Sequence, residues 1–412
     1  CYIVGYPNQG NYITGGFSGI NCLNAQSIIL QPIDLPFGWS IWSTYVDPVN
    51  PNMITICDSI VSSIDIVKSG GGLIYWPLFG LNTIGNLAMG EGYQIKMNTP
   101  AILQVQGLLI DPIVNPISVV DGWSIISYLR TTPMNTITIM SPIVQSVVIV
   151  KSGGGLIYWP LFGLNSIGNM MPGEGYQIKM SQTELLTYPA NTVAPTKSNV
   201  FNIKPSEYRN VDNTGHNMSL GILQDAWNVA PKAGDEIGVF NTNGKLIGSC
   251  VYTNGFNAIT IWGDDNYTAE RTEGIANGDI FYLKLWCNST QSEQELVVKS
   301  WLQGNNQYGK DAIAVIEKLT VLDTEYDGYK LFQNVPNPFK EATEISFYLP
   351  EEGMVKLVVY NSLGEVIEEL VSSHYDAGKY AVIFETGSLS AGTYFYKIVS
   401  DKFTDTKVMN IQ

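Results

Sequence analysis

The stretch Lys68-Ser-Gly-Gly-Gly-Leu-Ile-Tyr-Trp-Pro-Leu-Phe-Gly-Leu-Asn82 occurs a second time, without a single change, from Lys151 to Asn165. The match resumes as Ile84-Gly85-Asn86 against Ile167-Gly168-Asn169 and as Gly90 to Met97 against Gly173 to Met180, and upstream Gly38-Trp-Ser-Ile41 answers Gly122-Trp-Ser-Ile125. A unit of roughly 80 residues is therefore repeated in tandem, which points to stacked supersecondary modules. Duplication of this kind favours scaffolding or binding over catalysis.

Within each copy the pattern is that of β structure. Ile54 and Ile56, like Ile137 and Ile139, alternate with polar residues and predict a half-buried strand. In the next strand Ile64 and Ile66 match Val147 and Ile149 and face inward, with position 65 or 148 outward. Ser-Gly-Gly-Gly supplies the positive φ values of a hairpin turn. Pro77 and Pro160 end the returning strand, because proline has no N–H for the ladder. In Tyr93-Gln-Ile-Lys-Met97 and its copy Tyr176 to Met180, the apolar side chains share one face.

The 412 residues exceed what one core usually holds. The expected layout is an N-terminal β segment or arm (1–30), repeat 1 (31–110), repeat 2 (111–190), a β-sandwich module (199–322) and a C-terminal domain (323–412), with Thr187 to Ser198 as a Pro/Thr/Ser-rich linker. The fold class is all-β: tandem sandwich-like or barrel-like modules ending in an immunoglobulin-like sandwich. In the middle module, hairpin signals stand at Asn243-Gly244, Asn254-Gly255 and Asn277-Gly278 and predict an antiparallel sandwich or barrel. A short helix near Asp311 to Lys318 is compatible with the pattern but not needed by it. The last domain reads as strands at Glu344–Tyr348, Val355–Asn361, Val366–Val371, Lys379–Glu385, Thr393–Ser400 and Thr406–Ile411.

A net charge of -15 argues against a nucleic-acid partner, which needs clustered Lys and Arg. Only 14 charged residues fall in 1–195, against 45 after them. So little charge beside so much Ile, Leu, Tyr and Trp implies a large β core or packing against other subunits. No apolar run is long enough for a membrane helix. The first thirty residues carry no charge and lack the basic region of a signal peptide, so the chain, beginning at Cys1, reads as processed or truncated.

The five cysteines lack metal-site spacing. Cys57 aligns with Met140 and reads as a buried thiol. Cys1 with Cys22, and Cys250 with Cys287, are candidate disulfide partners in an oxidising compartment. The two histidines, His216 and His374, fall in different expected domains, which disfavours a triad or a histidine metal site. Asp235-Glu236 and Asp264-Asp265, with Glu270 nearby, are paired acids, but neighbours on a strand point to opposite sides. Asp264, Asp265 and Asn266 are weak calcium candidates because oxygen ligands cluster there without the EF-hand order. Tyr75, Trp76, Tyr158 and Trp159 are candidate sugar-stacking residues if exposed, and core residues otherwise. No cofactor is expected.

The C-terminal domain resembles the type A C-terminal sorting domain of the Bacteroidetes type IX secretion system. The residues that carry the likeness are Leu331-Phe-Gln-Asn-Val-Pro336-Asn337-Pro338-Phe339, Val359-Tyr-Asn-Ser-Leu-Gly364, Ala377-Gly378-Lys-Tyr380, Leu389-Ser-Ala-Gly392-Thr-Tyr394-Phe-Tyr396 and Thr406-Lys407. It departs from the family at Val335, where an aromatic is usual, and at Gln412, where a basic residue is usual. The resemblance implies export across the outer membrane to the cell surface or medium, with the secretion machinery as partner. It does not name the cargo's activity. The repeats are similar to tandem modules of the same kind of secreted protein, and Gly234 to Phe240 with Ile261 to Asp265 resembles a companion module. The expectation is a non-enzymatic surface structural protein, self-assembling into a filament or layer. The alternative is an adhesin or carbohydrate-binding protein that uses the repeat aromatics.

Overall fold

The computed structural model describes residues 28–193, 204–265, 267–268, 271–321 and 328–412. Strands dominate, with a few short helices. The N-terminal segment up to residue 27, with Cys1 and Cys22, lies outside the described residues, as do Asn266 and Glu270.

Each repeat is a five-stranded sheet beside a smaller pairing. In repeat 1 the order is Gly38–Trp42, Tyr93–Met97, Ile64–Ser69, Ile74–Trp76, Leu81–Asn82, and in repeat 2 it is Gly122–Ser127, Gly175–Met180, Val147–Ser152, Ile157–Trp159, Leu164–Asn165. Repeat 1 adds the strands Ile28–Leu35, Ala101–Leu109 and Val46–Pro48, and repeat 2 adds Ile117–Val119 paired with Glu184–Leu186. Tyr93, Ile95 and Met97 are buried while Gln94 and Lys96 are not, as the alternation requires. Gly72 takes a φ of +84° in the turn that joins Ile64–Ser69 to Ile74–Trp76.

The strands expected around Ile54 and Ile137 are instead the helices Met53–Cys57 and Thr136–Met140. Asn52 Oδ1 accepts from Ile54 N (3.0 Å) and Asn135 Oδ1 from Ile137 N (2.8 Å), so an N-cap starts each helix. Met53, Ile56 and Cys57 face the core at helical spacing, which leaves Ile54 exposed. Burial pushes the Cys57 thiol up to about 12, so it stays protonated.

The two repeats meet through a reciprocal set of bonds. Ser43 N donates to Gly173 O (2.9 Å) and Ser127 N to Gly90 O (2.9 Å), while Ser43 Oγ donates to Glu174 O (2.5 Å) and Ser127 Oγ to Glu91 O (2.6 Å). Since residue 43 corresponds to 127, and 90–91 to 173–174, the interface is isologous, like that of a twofold dimer folded into one chain. The glycines of the repeat make this approach possible. A Cβ on Gly175 would sit 2.7 Å from Ile41 Cγ2, and one on Gly92 2.9 Å from Ile125 Cγ2.

The stretch from Thr187, expected as linker, is docked as far as Val193. Tyr188 is buried and donates to Ser127 O (2.5 Å), and the buried Arg130 binds the carbonyls of Pro189, Ala190 and Val193. The rest of that stretch lies outside the described residues.

The chain divides into two compact units. The first holds residues 1–226, 231–282 and 300–318, which places both repeats and much of the middle module together. Within it Asn217–Ile222 pairs antiparallel with Asn257–Trp262 and parallel with Ile313–Val321. The sequence predicts an antiparallel sandwich or barrel here and allows, without needing, a short helix near Asp311 to Lys318. Ile313 to Ile316 are all buried, so this strand lacks the alternation that would have announced it. Asn243-Gly244 does form a hairpin, between Glu236–Asn241 and Leu246–Val251. Asn254-Gly255 instead leads into a strand that pairs with Asn217–Ile222, and Asn277-Gly278 precedes Ile280, which bridges Gln307, so neither is a hairpin turn.

The second unit comprises 227–230, 283–299 and 319–412. Its C-terminal part is a two-sheet sandwich. Lys330–Leu331, Ala342–Leu349 and Gly378–Glu385 form one sheet, and Val366–Tyr375, Gly353–Tyr360, Gly392–Ser400 and Thr404–Ile411 the other. Phe347, Leu357, Phe384, Tyr396 and Met409 fill the space between them.

Candidate functional site

Lysines retained in the charge-poor repeats converge on the middle module in two matched clusters, both inside the first unit. In repeat 1, Trp39 Nε1 (2.9 Å) and Lys96 Nζ (2.8 Å) both donate to Asp265 Oδ2. The Lys68 ammonium lies 4.1 Å from the Trp39 ring centre, 4.4 Å from that of Tyr267 and 3.4 Å from His216 Nε2. In repeat 2, Lys151 sits 4.3 Å from the Trp123 ring centre, donates to Asn217 Oδ1 (2.8 Å) and lies 3.6 Å from Asp311. Gln177 Nε2 donates to Asp311 Oδ1 (2.9 Å), as Gln94 Nε2 does to Gly215 O (3.0 Å). The same Trp, Lys and Gln positions thus dock both copies.

Burial sets the protonation of these groups. It lowers Lys68 to about 8, helped by the charge of Lys310, and lowers Lys151 to about 8 against the pull of Asp311. Burial, then the Lys68 and Lys310 charges, hold His216 down at about 4, so Lys68 donates to a neutral ring. For Asp265 burial opposes ionisation, but the bonds from Lys96 and Trp39 outweigh it and keep the carboxyl below the usual range.

A depressed histidine binds its proton in the unfolded chain first. Stability contributed by neutral His216 is complete above its unfolded value of about 6.5 and is lost as pH falls toward 4. The melting temperature of the first unit is therefore expected to fall between those pH values, with a shallower slope in His216→Gln. Equal slopes, measured by calorimetry, would contradict the assignment.

The described acids among those weighed as ligands or catalysts, Asp235, Glu236, Asp264 and Asp265, all accept hydrogen bonds. Asp264 Oδ1 accepts from Glu273 N (2.8 Å), while Asp265 Oδ2 accepts from Trp39 and Lys96; Asn266, the third calcium candidate, lies outside the described residues. Among the described residues no group of three or more His, Cys, Asp or Glu side chains is placed to hold a metal. Asp235 accepts from Lys232 N (2.9 Å), and Glu236 accepts from Ser206, Glu207 and Tyr208. Burial works against the Glu236 charge, but those backbone bonds hold it below the ordinary carboxylate range. No disulfide joins Cys250 to Cys287: Cys250 is held opposite Ile237 on one strand and Cys287 opposite Ser292 on another. His374 is exposed on Val366–Tyr375, in the other unit from His216.

Three of the four candidate stacking aromatics are core. Tyr75, Tyr158 and Trp159 are buried, with Trp159 only 2% exposed, and cannot meet a ligand. The Trp159 ring packs edge-on to Phe162 (5.2 Å) and Phe256 (5.3 Å), and Phe162 stacks on Phe256 at 4.2 Å. Trp76 differs: it is half-buried and lines a cleft of about 530 Å³ with Asp65, Lys96, Asn98 and Tyr267. Sequence reading missed the docking set of Trp39, Trp123, Lys68, Lys151, Gln94, Gln177 and Asp311. The retention of lysine inside an otherwise uncharged identical block was the available signal.

In the second unit the residues of the sorting likeness hold one sandwich edge. Phe339 is buried, its N–H donates to Asn410 O (3.0 Å), and Asn337 Oδ1 accepts from Asn410 N (2.9 Å). Pro336 O accepts from Asn334 and Thr343, while Val335, Pro336, Asn337 and Pro338 are themselves exposed. Gly364 (φ +81°) closes the turn whose Asn361 Oδ1 accepts from Leu363 N and Glu365 N. Tyr380 and Tyr394 each donate to the carbonyl four residues back, Asp376 O and Ser390 O. Gly378 and Gly392 open the strands Gly378–Glu385 and Gly392–Ser400, and Lys407 lies on Thr404–Ile411.

Residues 335–412 match the family of the secretion system C-terminal sorting domain. The chain thus carries the export domain of the type IX system, which directs it to the cell surface or exterior and engages the secretion machinery. Comparison with curated proteins gives no match. Among solved structures, the chain is similar to a biofilm-associated protein BSP domain, at 8% identity and a TM-score of 0.15, covering 98% of this chain and 99% of that one. A tetra-tandem repeat from the extending region of a large adhesion protein is similar at 11% identity and 0.16, covering 90% and 93%. The titin domains Z1Z2 in complex with telethonin are similar at 11% and 0.13, covering 45% and 91%.

Proposed function

We propose that this exported chain is a non-enzymatic structural protein that associates with further copies of itself at the cell surface, as a filament or layer. The observation that carries the reading is a sheet face left in solvent, on which large apolar side chains stand among the exposed Asp34, Gln104 and Gln106. Ile28 lies opposite Leu108 across the pair formed by Ile28–Leu35 and Ala101–Leu109, and Leu30 and Ile102 share that face, at 58% and 53% exposed. Among the described residues Ile28–Leu35 is also the outer strand of its sheet. Large exposed apolar side chains on an edge strand offer a surface for association. The engagement of the module's Asp265, Asp311 and His216 by lysines of the repeats supports a scaffold rather than a reaction site.

Sedimentation of the full chain at rising concentration tests this. The native chain is expected to associate, and Leu30→Lys with Ile102→Lys to weaken association by at least about 100-fold, because each buried charge opposes the contact. A native chain that stays monomeric, or a variant that associates as before, would overturn the reading.

A further inference from the structure

The duplicated block offers its own control, because identical residues meet different surroundings in the two copies. In repeat 2 the face formed by Val148, Trp159, Phe162 and Leu164 is closed by Phe256, Leu223 and Ala258 of the middle module. In repeat 1 the equivalent residues are Asp65, Trp76, Phe79 and Leu81. Here Trp76 is half-buried, Phe79 is 67% exposed, and the face opens into the cleft of about 530 Å³. That volume suits a small ligand.

The residues at the rim differ in kind. Val148 of the closed face is replaced by Asp65, and Ser181 by Asn98. Asn98 Nδ2 donates to Asp65 Oδ1 (3.2 Å) and Ser62 O (3.2 Å), which holds the carboxylate toward the cleft and leaves Asp65 Oδ2 without a partner among the described residues. Lys96, on the same wall, is neutralised by Asp265 at 2.8 Å. An aromatic plug like Phe256 would bury Asp65 with its Oδ2 lacking a donor, at a desolvation cost. The occupant must bring a flat apolar surface for the indole and hydroxyl donors for the carboxylate.

We propose that the repeat 1 cleft binds a neutral pyranose of a glycan chain, with the C–H face of the ring against Trp76 and ring hydroxyls donating to Asp65. The site is independent of the self-association face, which lies on other strands. It makes the two copies functionally unequal: repeat 2 is a structural mount, and repeat 1 keeps the same aromatic surface for a ligand.

The test titrates the full chain with cellohexaose, maltohexaose, mannohexaose, xylohexaose and chitohexaose, each up to about 10 mM, and follows tryptophan fluorescence and heat. At least one is expected to bind with Kd between about 10⁻⁵ and 10⁻³ M. Trp76→Ala is expected to weaken it at least about 20-fold, and Asp65→Val, which installs the residue repeat 2 already carries, about 5- to 10-fold. Absence of binding by all five, or binding unchanged in Asp65→Val, would overturn the proposal. So would binding of the peptide Thr253 to Ile259 of this chain that strengthens in Asp65→Val, since it would assign the cleft to a protein segment. Sedimentation of the same variants is expected to match the native chain, so failure here is separable from failure of the self-association reading.

Discussion

Trp159→Ala is expected to lower the stability of the first unit by about 3–5 kcal/mol, whereas Trp76→Ala, in an identical stretch of fifteen residues, is expected to cost about 1–2 kcal/mol. Trp159 is 2% exposed and packs in the core shared by Ile149, Ile157, Ile313 and Val315. Its removal leaves a cavity that strands of two modules cannot both collapse into, so the transfer loss and the cavity add. Trp76 meets Phe79 and Tyr267 edge-on, at 4.7 and 5.4 Å, much as Trp159 meets its neighbours, but it is only half-buried and lines a cleft. Denaturation of the two variants, followed by calorimetry, checks this. Equal losses would mean that the middle module does not seat on repeat 2 as described.

The second large effect is expected at Asp265. Asp265→Ala removes the acceptor of both Trp39 Nε1 and Lys96 Nζ, in a place where the carboxylate is only 4% exposed. Breaking one side of such a buried pair costs about 3 kcal/mol or more, chiefly by stranding the remaining charge and N–H. Lys96→Met in the same background should restore part of the loss, because it removes the stranded ammonium. A double-mutant cycle is therefore expected to give a coupling of about 1–3 kcal/mol. A coupling near zero would show that Lys96 and Trp39 dock by packing alone. The sign with pH follows from the depressed carboxyl. Its contribution is present above the unfolded value of about 3.9 and is lost as pH falls through the lower folded value.

Much of the local architecture was legible because it obeys the period of two. Tyr93 to Met97 and its copy, the Gly-rich hairpin and the six strands after residue 340 all follow alternation and turn chemistry that short windows contain. The helices at Met53 and Thr136 escaped because Ile54-Thr-Ile56 and Ile137-Thr-Ile139 alternate by accident within five residues. The deciding features were the Asn52 and Asn135 caps and the buried 53, 56 and 57 set. The strand at Ile313 escaped because it is buried on both faces.

The site was less legible, since its chemistry is made by long-range pairing. Asp265, in sequence one of a pair of neighbouring acids, is the acceptor for two side chains more than 160 positions away. Four aromatics of one motif looked equivalent, and only tertiary contact separates Trp76 from the buried Tyr75, Tyr158 and Trp159. The sorting domain stood out best, because its signal is a run of turn and strand residues in fixed order.

The most direct test of the account is electron microscopy of the full chain as recovered from the surface of cells that export it, beside the Leu30→Lys, Ile102→Lys variant. Regular filaments or sheets from the native chain, and dispersed particles from the variant, are the predicted result. Dispersed monomers from the native chain would contradict the structural reading.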